Sequence, residues 1–353
     1  MSAESAKLRV GVVGCGLLGQ RHARFWAQQD DAELVGVADA RIERAEDVAT
    51  QWSVPRACRS VEELMDSVRP DAVSVATPDF AHREPVLIAL AAGADVLVEK
   101  PLAMSSADAR AVIDAAAQAR RVLMVNHSMR WIPRFASVKQ SIANGELGEL
   151  LAAHSFKADR IYVPTQMLTW ASQSSPAYFL TAHDLDLVRW FADDEVAEVY
   201  AQGTRRILVA RGIDTFDVVQ ASVRFAGGAL ATFEASWVHP NTYPSFTDDY
   251  MHLIGSQGVV YLDRGRETME IFDEQTVSHP KLSTVYEHEG RIYGSFRHAL
   301  EHFMTCVRSR AEPLTSGARV FGVVAALEAI HQSLATGRPV ALALRPSVSV
   351  QRA

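Results

Sequence analysis

The chain has 353 residues, more than one hydrophobic core usually organises, so we expect two domains. Its formal net charge of −7 argues against nucleic acid or an anionic membrane as the main partner. No apolar run approaches the roughly 20 residues that span a bilayer. The start MSAESAKLRV has no apolar signal core, so neither membrane insertion nor export is expected.

The cysteines are few and widely separated: Cys15, Cys58 and Cys306. This spacing favours neither a disulfide framework nor a zinc site, and it predicts a reducing, cytoplasmic environment. The 12 histidines supply one pair at helical i, i+4 spacing, His298 and His302, without a third ligand nearby in sequence. We therefore expect no metal site.

Short apolar strands alternate with helical stretches in the first third of the chain. The strand candidates are rich in β-branched residues and cover residues 8–13, 33–38, 71–77, 95–100 and 122–126. These runs are apolar on both faces, and helical stretches such as 84–93 and 105–119 separate them. The pattern therefore predicts a parallel, doubly wound α/β sheet.

A glycine-rich turn, Gly14-Cys15-Gly16-Leu17-Leu18-Gly19, follows the first strand candidate and opens a helix. In this GxGxxG pattern, Gly14 permits the tight turn, Gly16 lets a pyrophosphate approach the backbone, and Gly19 lets the helix pack on the strand. The first N–H groups of the helix, at Leu17 and Leu18, would face the phosphates. The turn predicts a dinucleotide site, and the alternative is a glycine turn that only packs.

Asp39 ends the second strand candidate, 20 residues after Gly19. A carboxylate at this place accepts hydrogen bonds from the adenosine ribose hydroxyls and repels a 2′-phosphate, which favours NAD over NADP. We include Ala40 and Arg41 in the predicted cofactor site. Arg41 or Arg44 could instead reach a 2′-phosphate, so NADP stays open, and Asp39 could be an ordinary helix N-cap.

Further cofactor candidates lie at the ends of three more strand candidates or in the loops directly after them. Ligands bind at the carboxyl ends of the strands in a doubly wound sheet, so these residues are expected along the cofactor. They are Thr77, Pro78, His82, Glu99, Lys100, Pro101 and Asn126. Asn126 or the following His127 could also contact the substrate, and His82 could instead pack against the next helix.

Lys100 is the candidate acid/base. Pro101 restricts it to extended geometry. Desolvation and a neighbouring nicotinamide cation would both lower the lysine pKa, which would let it exchange a proton near neutral pH. The alternative is a surface lysine paired with Glu99.

From about residue 130 the pattern changes to longer runs that alternate apolar and polar residues. These strand candidates cover residues 150–159, 198–207, 215–225, 229–238, 251–256 and 259–264. Period-two alternation predicts antiparallel strands with one buried face. A helix that stops at Gly337 closes the region, and residues 279–293 could form a flap or an oligomer arm.

A helix is predicted over residues 176–191, with Ser175 as N-cap and Pro176 at the first helical position. At 3.6 residues per turn, one face carries Phe179, His183, Asp186 and Trp190. Asp186 could accept an imidazole N–H and fix the tautomer of His183. On the residues alone, the alternative is a buried core histidine.

Four features of the sequence occur together: the glycine turn, the stretch GADVLVEKPLA around Lys100, the pair Asn126-His127, and His183. With these features the sequence resembles the glucose–fructose oxidoreductase / inositol dehydrogenase / MocA family of nicotinamide-dependent sugar and polyol dehydrogenases. The resemblance is strongest before residue 130. It implies a Rossmann domain over 1–128, a cis Lys100–Pro101 bond, and an α+β domain over 129–353 whose open, mostly antiparallel mixed sheet serves substrate binding and oligomerisation.

The family motif Asp-x-x-x-His brings both side chains to the substrate hydroxyl. His183 matches the histidine, but Phe179 stands where the aspartate is expected, which would remove an acceptor and make the pocket more apolar. The resemblance thus implies that Lys100 and His183 alone handle the proton. Aromatic contacts and hydrogen-bond donors for a sugar are offered by Arg160, Tyr162, Trp170, Trp237, His239 and Tyr243, although aromatic residues often only pack.

Together these features predict an NAD-dependent oxidoreductase that moves hydride from a secondary hydroxyl of a cyclic polyol, sugar or sugar derivative to the nicotinamide. A homodimer or homotetramer is expected. Two alternatives stay open: an enzyme that uses NAD transiently for isomerisation, elimination or glycoside cleavage, and a non-catalytic NAD-binding regulator.

Overall fold

The computed structural model of the protein describes residues 6–263 and 269–343. In these ranges the α-helices are α1 (Leu17–Ala27), α2 (Ile42–Trp52), α3 (Val61–Val68), α4 (Arg83–Ala91), α5 (Ser106–Ala119), α6 (Pro133–Ala143), α7 (Ala182–Ala192), α8 (Ser295–Ser309) and α9 (Gly317–Thr336). The β-strands are β1 (Leu8–Val13), β2 (Ala32–Ala38), β3 (Ala57–Cys58), β4 (Ala72–Val75), β5 (Asp95–Val98), β6 (Leu123–Val125), β7 (Leu150–Arg160), β8 (Val196–Thr204), β9 (Val218–Phe225), β10 (Leu230–His239), β11 (Thr247–Gly255), β12 (Val259–Asp263), β13 (Ile271–Phe272), β14 (Val277–Ser278), β15 (Tyr286–His288), β16 (Arg291–Tyr293) and β17 (Val340–Ala341). Arg264, which ends the predicted strand 259–264, lies outside the described residues, as do 1–5 and 344–353 at the ends of the two predicted domains.

The chain forms two compact units. The first contains Met1–Ser128 and Thr284–Phe321, and the second contains Met129–Ser283 and Gly322–Ala353. The second unit therefore differs from the domain predicted over 129–353, because the chain returns to the first unit at Thr284.

The returning segment packs on α1. The ring of Phe296 lies 5.0 Å from His22, and the ring of Phe303 lies 6.4 Å from Trp26. The hairpin β15–β16 is held there too, because Arg24 and Gln28 both donate side-chain hydrogen bonds to the carbonyl of Gly290, at 2.9 and 2.7 Å. These contacts join residues far apart in sequence, and local patterns do not reveal them.

The first unit is built on a six-stranded sheet in the order β3-β2-β1-β4-β5-β6, and all neighbouring strands are parallel. The predicted parallel, doubly wound sheet is confirmed. Val12, Val75 and Val96 on its central strands are fully buried. The strand order reverses between β1 and β4, and ligands of such sheets bind outside the carboxyl ends of the strands at this point.

The second unit contains a seven-stranded sheet in the order β12-β11-β7-β10-β9-β8-β17. Strands β7 and β10 pair in parallel and the other neighbours are antiparallel, so the predicted mostly antiparallel mixed sheet is confirmed. Burial alternates along β9, where Val219, Ala221 and Val223 are buried and the residues between them are exposed. One face of the sheet therefore belongs to the core.

The helix predicted over 176–191 begins as a π-helical turn, Ala177–Thr181, and continues as α7. The predicted cap is confirmed, since Ser175 Oγ accepts the N–H of Tyr178 at 3.2 Å. Ser175 Oγ also lies 2.8 Å from Nε2 of His331 on α9, and the His331 ring stacks on Tyr178 at 3.9 Å. The spacing of apolar residues predicted an α-helix throughout, because it does not separate the α from the wider π period.

Candidate active site

The three glycines of the turn between β1 and α1 have different surroundings. A Cβ on Gly14, where φ is +90°, would lie 2.7 Å from the backbone of Ala76. A Cβ on Gly19 would lie 1.6 Å from the carbonyl oxygen of Gly14. A Cβ on Gly16 would meet no atom within 4 Å beyond its chain neighbours. Packing therefore requires Gly14 and Gly19, whereas Gly16 keeps a space open at the start of α1.

The N-terminus of α1 has no side-chain cap. Gly16 is the N-cap residue and makes no side-chain hydrogen bond, Leu17 is exposed and Leu18 is half-buried. Backbone N–H groups at such a helix end carry partial positive charge and bind anions. The open space beside Gly16, which a side chain there would occupy, fits the pyrophosphate of a dinucleotide.

The carboxylate of Asp39 lies beside this turn. Its Oδ2 accepts the N–H of Cys15 at 2.8 Å, and its Oδ1 accepts the N–H of Arg41 at 2.9 Å. The N-cap of α2 is Arg41, so the alternative of Asp39 as an ordinary N-cap is wrong. Burial, with a smaller contribution from the Asp39 charge, raises the pKa of the Cys15 thiol to about 12, so Cys15 stays a small protonated residue. Ala40 is exposed beside it.

Glu99 follows β5 and is the centre of a buried polar group. Its Oε1 accepts hydrogen bonds from His22 Nε2 at 3.0 Å and from Asn126 Nδ2 at 2.6 Å. We call these three residues the Glu99 cluster. Burial alone would raise the pKa of Glu99, but the His22 and Asn126 hydrogen bonds and the charges of His22 and Lys100 together hold it below its ordinary value. His22 was not predicted from the sequence, where its only signal is its place three residues after Gly19.

Lys100 lies in the turn after Glu99. It is 6% exposed, so the alternative of a surface lysine is wrong. Its backbone N–H lies 3.4 Å from Glu99 Oε2, and the peptide bond to Pro101 is cis, as the resemblance implied. A buried lysine at the carboxyl edge of a parallel sheet is placed where bound ligands react.

His82 joins the loop after β4 to the lysine turn. Its Nδ1 lies 2.7 Å from the carbonyl oxygen of Pro101, and its Nε2 lies 3.0 Å from the carbonyl oxygen of Thr77. His82 is buried, whereas Thr77 and Pro78 are half-buried. His82 thus fixes two loops at the carboxyl edge, and its contact with the cofactor stays a prediction.

Asn126 and His127 follow β6 at the same edge, and both are buried. The side-chain oxygen of Asn126 is buried without a hydrogen-bond partner among the described residues. A buried acceptor of this kind is costly unless a ligand supplies a donor. This orphan oxygen is a second feature of the first unit that fits a bound cofactor.

His183 interrupts the buried stretch of α7 between Ala182 and Arg189. Ala182 and every residue from Asp184 to Arg189 are buried, whereas His183 is half-buried with a buried Nδ1 atom, so the alternative of a core histidine stays open. Two neighbouring residues of α7, Asp184 and Asp186, form buried ion pairs. Arg130 donates to both oxygens of Asp186, at 2.8 and 2.6 Å, and Lys157 Nζ lies 3.3 Å from Asp184 Oδ1. Neither basic partner was predicted from the sequence, and the Asp186–imidazole bond stays a prediction.

Phe179 belongs to an aromatic cluster with Trp170 and Trp237. Its ring lies 5.7 Å from Trp237 and 6.3 Å from Trp170. Trp237 is 0% exposed, so the structure gives it a packing role, and its predicted contact with substrate stays a prediction. Phe179 and Trp170 are half-buried and keep part of their surface accessible.

The remaining predicted substrate residues lie on two joined loops of the second unit. The pairing of β10 with β7 shifts between Ser236 and His239, which brings His239 opposite Arg160. The rings of His239 and Tyr243 are 5.3 Å apart, and the side chain of Asn241 accepts the N–H of Tyr162 at 3.0 Å. The structure therefore groups Arg160, Tyr162, His239 and Tyr243, a grouping for which the register shift gave no sequence signal.

In residues 6–263 and 269–343, no group of three or more His, Cys, Asp and Glu side chains could hold a metal ion. None of the helices in these ranges combines the length and apolar character that crossing a membrane demands. In the spaced histidine pair, Nε2 of His302 accepts the N–H of Leu314 at 3.0 Å, and burial lowers the pKa of His302.

Comparison with known families agrees with this geometry. Residues 8–127 match the model of an oxidoreductase family with an NAD-binding Rossmann fold. Residues 135–261 match the model of the GFO/IDH/MocA C-terminal domain. The protein is therefore an NAD-binding oxidoreductase. It belongs to the glucose–fructose oxidoreductase / inositol dehydrogenase / MocA family, the family that the motifs around Lys100 and His183 resemble.

Individual relatives are inositol dehydrogenases. The chain is 29% identical to the myo-inositol 2-dehydrogenase of Thermotoga maritima over 317 residues, which are 88% of this chain and 91% of that one. It is 31% identical to the inositol 2-dehydrogenase of Rubrobacter xylanophilus over 262 residues, 74% of this chain and 72% of the relative. The fold matches the solved scyllo-inositol dehydrogenase of Lactobacillus casei with bound NAD(H) and scyllo-inositol, with a TM-score of 0.82, 17% identity and coverage of 95% and 99% of the two chains.

Proposed function

We propose that the protein is an NAD-dependent dehydrogenase that oxidises a secondary hydroxyl of a cyclic polyol, a sugar or a sugar derivative. The observation that carries this proposal is the buried Lys100, which follows β5 at the carboxyl edge of the sheet. The relatives named as inositol dehydrogenases support the substrate class.

In the proposed reaction, the substrate hydroxyl loses its proton to Lys100, or through Lys100 to His183. Bound NAD supplies the hydride acceptor, and the protein aligns the reacting groups and moves the proton. The residues proposed to hold the cofactor surround the carboxyl edge of the first sheet: Gly14, Gly16, Leu17, Leu18, Gly19, Asp39, Ala40, Arg41, Thr77, Pro78, His82, Glu99, Lys100, Pro101 and Asn126.

We propose that Asp39 makes the protein prefer NAD over NADP. Its carboxylate is fixed by the N–H groups of Cys15 and Arg41, so it cannot turn away from a 2′-phosphate without losing both bonds. The side chains of Arg41 and Arg44 stand nearby in sequence and set the strictness of the preference.

On the substrate side, we propose contacts from Lys100, Asn126, His127, Arg160, Tyr162, Phe179, His183, Trp237, His239 and Tyr243. Phe179 is the position where this chain departs from the family motif. Its ring packs on Trp237 and offers no hydrogen-bond acceptor, so the substrate region beside His183 is more apolar than in relatives that carry aspartate.

We further propose that the protein assembles as a homodimer or homotetramer through the exposed face of the second sheet, in the cytoplasm. Tyr261 on β12 is 66% exposed and stacks on His252 at 4.3 Å, and Tyr250 and Val259 are exposed near it. Exposed apolar and aromatic surface of this kind is typical of protein interfaces. The free cysteines Cys15, Cys58 and Cys306 are consistent with a reducing compartment. Light scattering of the wild type and of Tyr261→Glu would test the assembly, because a charge should dissociate it.

The decisive experiment combines a substrate panel with a lysine variant. Purified protein is assayed with NAD and NADP against inositols, aldoses and glycosides, beside Lys100→Ala and the control Lys7→Ala, which changes an exposed lysine. NADH formation by the wild type and the Lys7→Ala protein, with loss in Lys100→Ala, is the expected result. Retention of the rate in Lys100→Ala would overturn the mechanism. Conversion without net NADH would point to transient use of NAD, and NAD binding without any conversion would point to a regulator.

A further inference from the structure

A negative charge is buried in the first unit at the edge where the cofactor is proposed to bind. Glu99 is 5% exposed, and its carboxylate is held by His22 at 3.0 Å and Asn126 at 2.6 Å. These partners hold the pKa of Glu99 below its ordinary value, so the carboxylate is ionised at neutral pH. A buried charge is expensive to maintain, which makes an unexplained one a candidate for function.

The charged groups that act on Glu99 are cationic. Lys100 is the next residue, and its positive charge lowers the pKa of Glu99. Burial lowers the pKa of Arg21 on α1, while the charge of Glu99 raises it. His22 is the third basic side chain on this carboxylate. Without Glu99, a cation that enters this edge would face Lys100 and Arg21 where water is largely excluded and repulsion is strong.

The nicotinamide cofactor changes charge when it reacts. Its ring is a cation in the oxidised form and neutral in the reduced form. Glu99, Lys100 and Asn126 follow β5 and β6 and are proposed to lie along the nicotinamide half, whereas Asp39 follows β2 and is proposed to lie along the adenosine half. The buried orphan oxygen of Asn126 gives a second sign that this end of the site receives a ligand.

We propose that the Glu99 carboxylate strengthens binding of the oxidised, cationic cofactor relative to the reduced, neutral cofactor. It offsets the charges of Lys100 and Arg21, so that a cationic ring can lie beside a buried lysine. The reduced form gains nothing from this carboxylate and leaves more readily. The proposal rests on the NAD site described above, but it does not depend on the identity of the substrate.

The test is a binding experiment that needs no turnover. Dissociation constants of NAD, NADH and ADP-ribose are measured by fluorescence titration for the wild type, Glu99→Gln and Glu99→Asp. We expect Glu99→Gln to raise the ratio of the NAD to the NADH dissociation constant about tenfold. Glu99→Asp keeps the charge and should stay close to the wild type. ADP-ribose lacks the nicotinamide, so its affinity should change little in either variant.

A matched control separates charge from packing. Trp26 on α1 donates to Ser74 on β4 at 2.9 Å, a buried hydrogen bond between the same helix and the same sheet. Ser74→Ala should lower the melting temperature without changing the NAD to NADH ratio. An unchanged ratio in Glu99→Gln would overturn the proposal. An equal loss of affinity for NAD, NADH and ADP-ribose would also overturn it, because a disturbed α1 would then explain the result. If Glu99→Gln does not fold, Arg21→Gln replaces it, because it removes a cation whose charge Glu99 offsets. The ratio of the NAD to the NADH dissociation constant should then fall below the wild-type value, and an unchanged or raised ratio would overturn the proposal.

Discussion

The Glu99 cluster in the first unit and the aromatic cluster in the second unit differ in the forces that hold them. Glu99 is held by two hydrogen bonds from named partners on α1 and after β6. Phe179 is held by ring contacts with Trp170 and Trp237, which tolerate changes of shape better than hydrogen bonds do. The difference teaches that the region proposed to bind the cofactor depends on the geometry of particular donors and acceptors. The region proposed to bind the substrate depends on packing, which tolerates substitution more readily.

The largest expected effect is on turnover, and it concerns one residue of each unit, Lys100 and His183. Lys100→Ala and His183→Asn should each lower kcat by about 10²–10⁴-fold, because each removes a proposed proton carrier. If both act on the same proton, the double variant should lose no more than the worse single one. Steady-state rates with NAD measure this, and His288→Asn, at an exposed position, is the control. Additive losses would separate the two residues into independent roles.

The next largest effect is on the free energy of unfolding, and it concerns the aromatic cluster of Phe179, Trp170 and Trp237. Trp237→Ala should lower the free energy of unfolding by about 3–5 kcal/mol, because the side chain is fully buried and leaves a cavity. Trp170→Ala should cost less, since Trp170 is half-buried. Urea unfolding of both variants makes the comparison. Equal losses of unfolding free energy in the two variants would show that Trp237 contributes no more to the packing of the cluster than Trp170.

A substitution that places a polar side chain in the aromatic cluster, at Phe179, tests the substrate specificity. Phe179→Asp restores the acceptor of the family motif, and we expect the ratio of kcat/KM between polyhydroxylated and deoxygenated substrates to rise about tenfold. Phe179→Leu keeps the region apolar and should leave that ratio near the wild-type value. If neither the ratio nor the pH dependence changes in Phe179→Asp, the residue only packs.

A smaller change is expected at Asp39, in the residues proposed to bind the cofactor. Asp39→Ala should shift the ratio of kcat/KM for NAD over NADP toward NADP by about tenfold, because the carboxylate no longer repels a 2′-phosphate. Asp39→Asn removes the charge but has a single acceptor oxygen, so it can keep only one of the two backbone hydrogen bonds, from Cys15 or from Arg41. A shift in Asp39→Asn that matches the shift in Asp39→Ala would assign the preference to the lost charge. A wild type that prefers NADP would contradict this assignment.

The smallest effect concerns pH and the helix that carries Phe179. Burial lowers the pKa of His331, so the folded protein keeps it neutral, with Nδ1 donating to the Leu327 carbonyl and Nε2 facing Ser175. A group with a lowered histidine pKa contributes stability that is present above the unfolded value and is lost as the pH falls below it. Unfolding free energy measured from pH 7 to 5 should therefore fall. His331→Phe, which keeps the ring beside Tyr178, should flatten that fall, and an unchanged slope would contradict it.

Sequence patterns predicted the features that depend on backbone conformation. Gly14 and Gly19 are required because a side chain would collide with backbone atoms, and such requirements leave a fixed spacing in the sequence. The buried lysine turn carries a similar local signature. The alternation along β9 predicted its buried face for the same reason.

Other features depend on residues that are far apart, and local patterns do not encode them. His22 meets Glu99 across 77 positions, and Arg130 meets Asp186 across 56. The register shift that moves His239 opposite Arg160 adds no unusual residue type to the strand. The aromatic residues were predicted as ligand contacts or packing residues without a decision, because only the tertiary structure determines which ring is covered.

The return of Thr284–Phe321 to the first unit also bears on how the protein is made. During synthesis the strands of the first sheet emerge early, but Phe296, Phe303 and Thr315 emerge only after six of the seven strands of the second sheet have been translated. Thr315 donates to the carbonyl of Val125 at 2.7 Å on the edge strand β6, which stays uncovered until then. Folding of the first unit on the ribosome must therefore finish late, and a fragment that stops at residue 128 would expose Trp26 and the edge of β6 to aggregation.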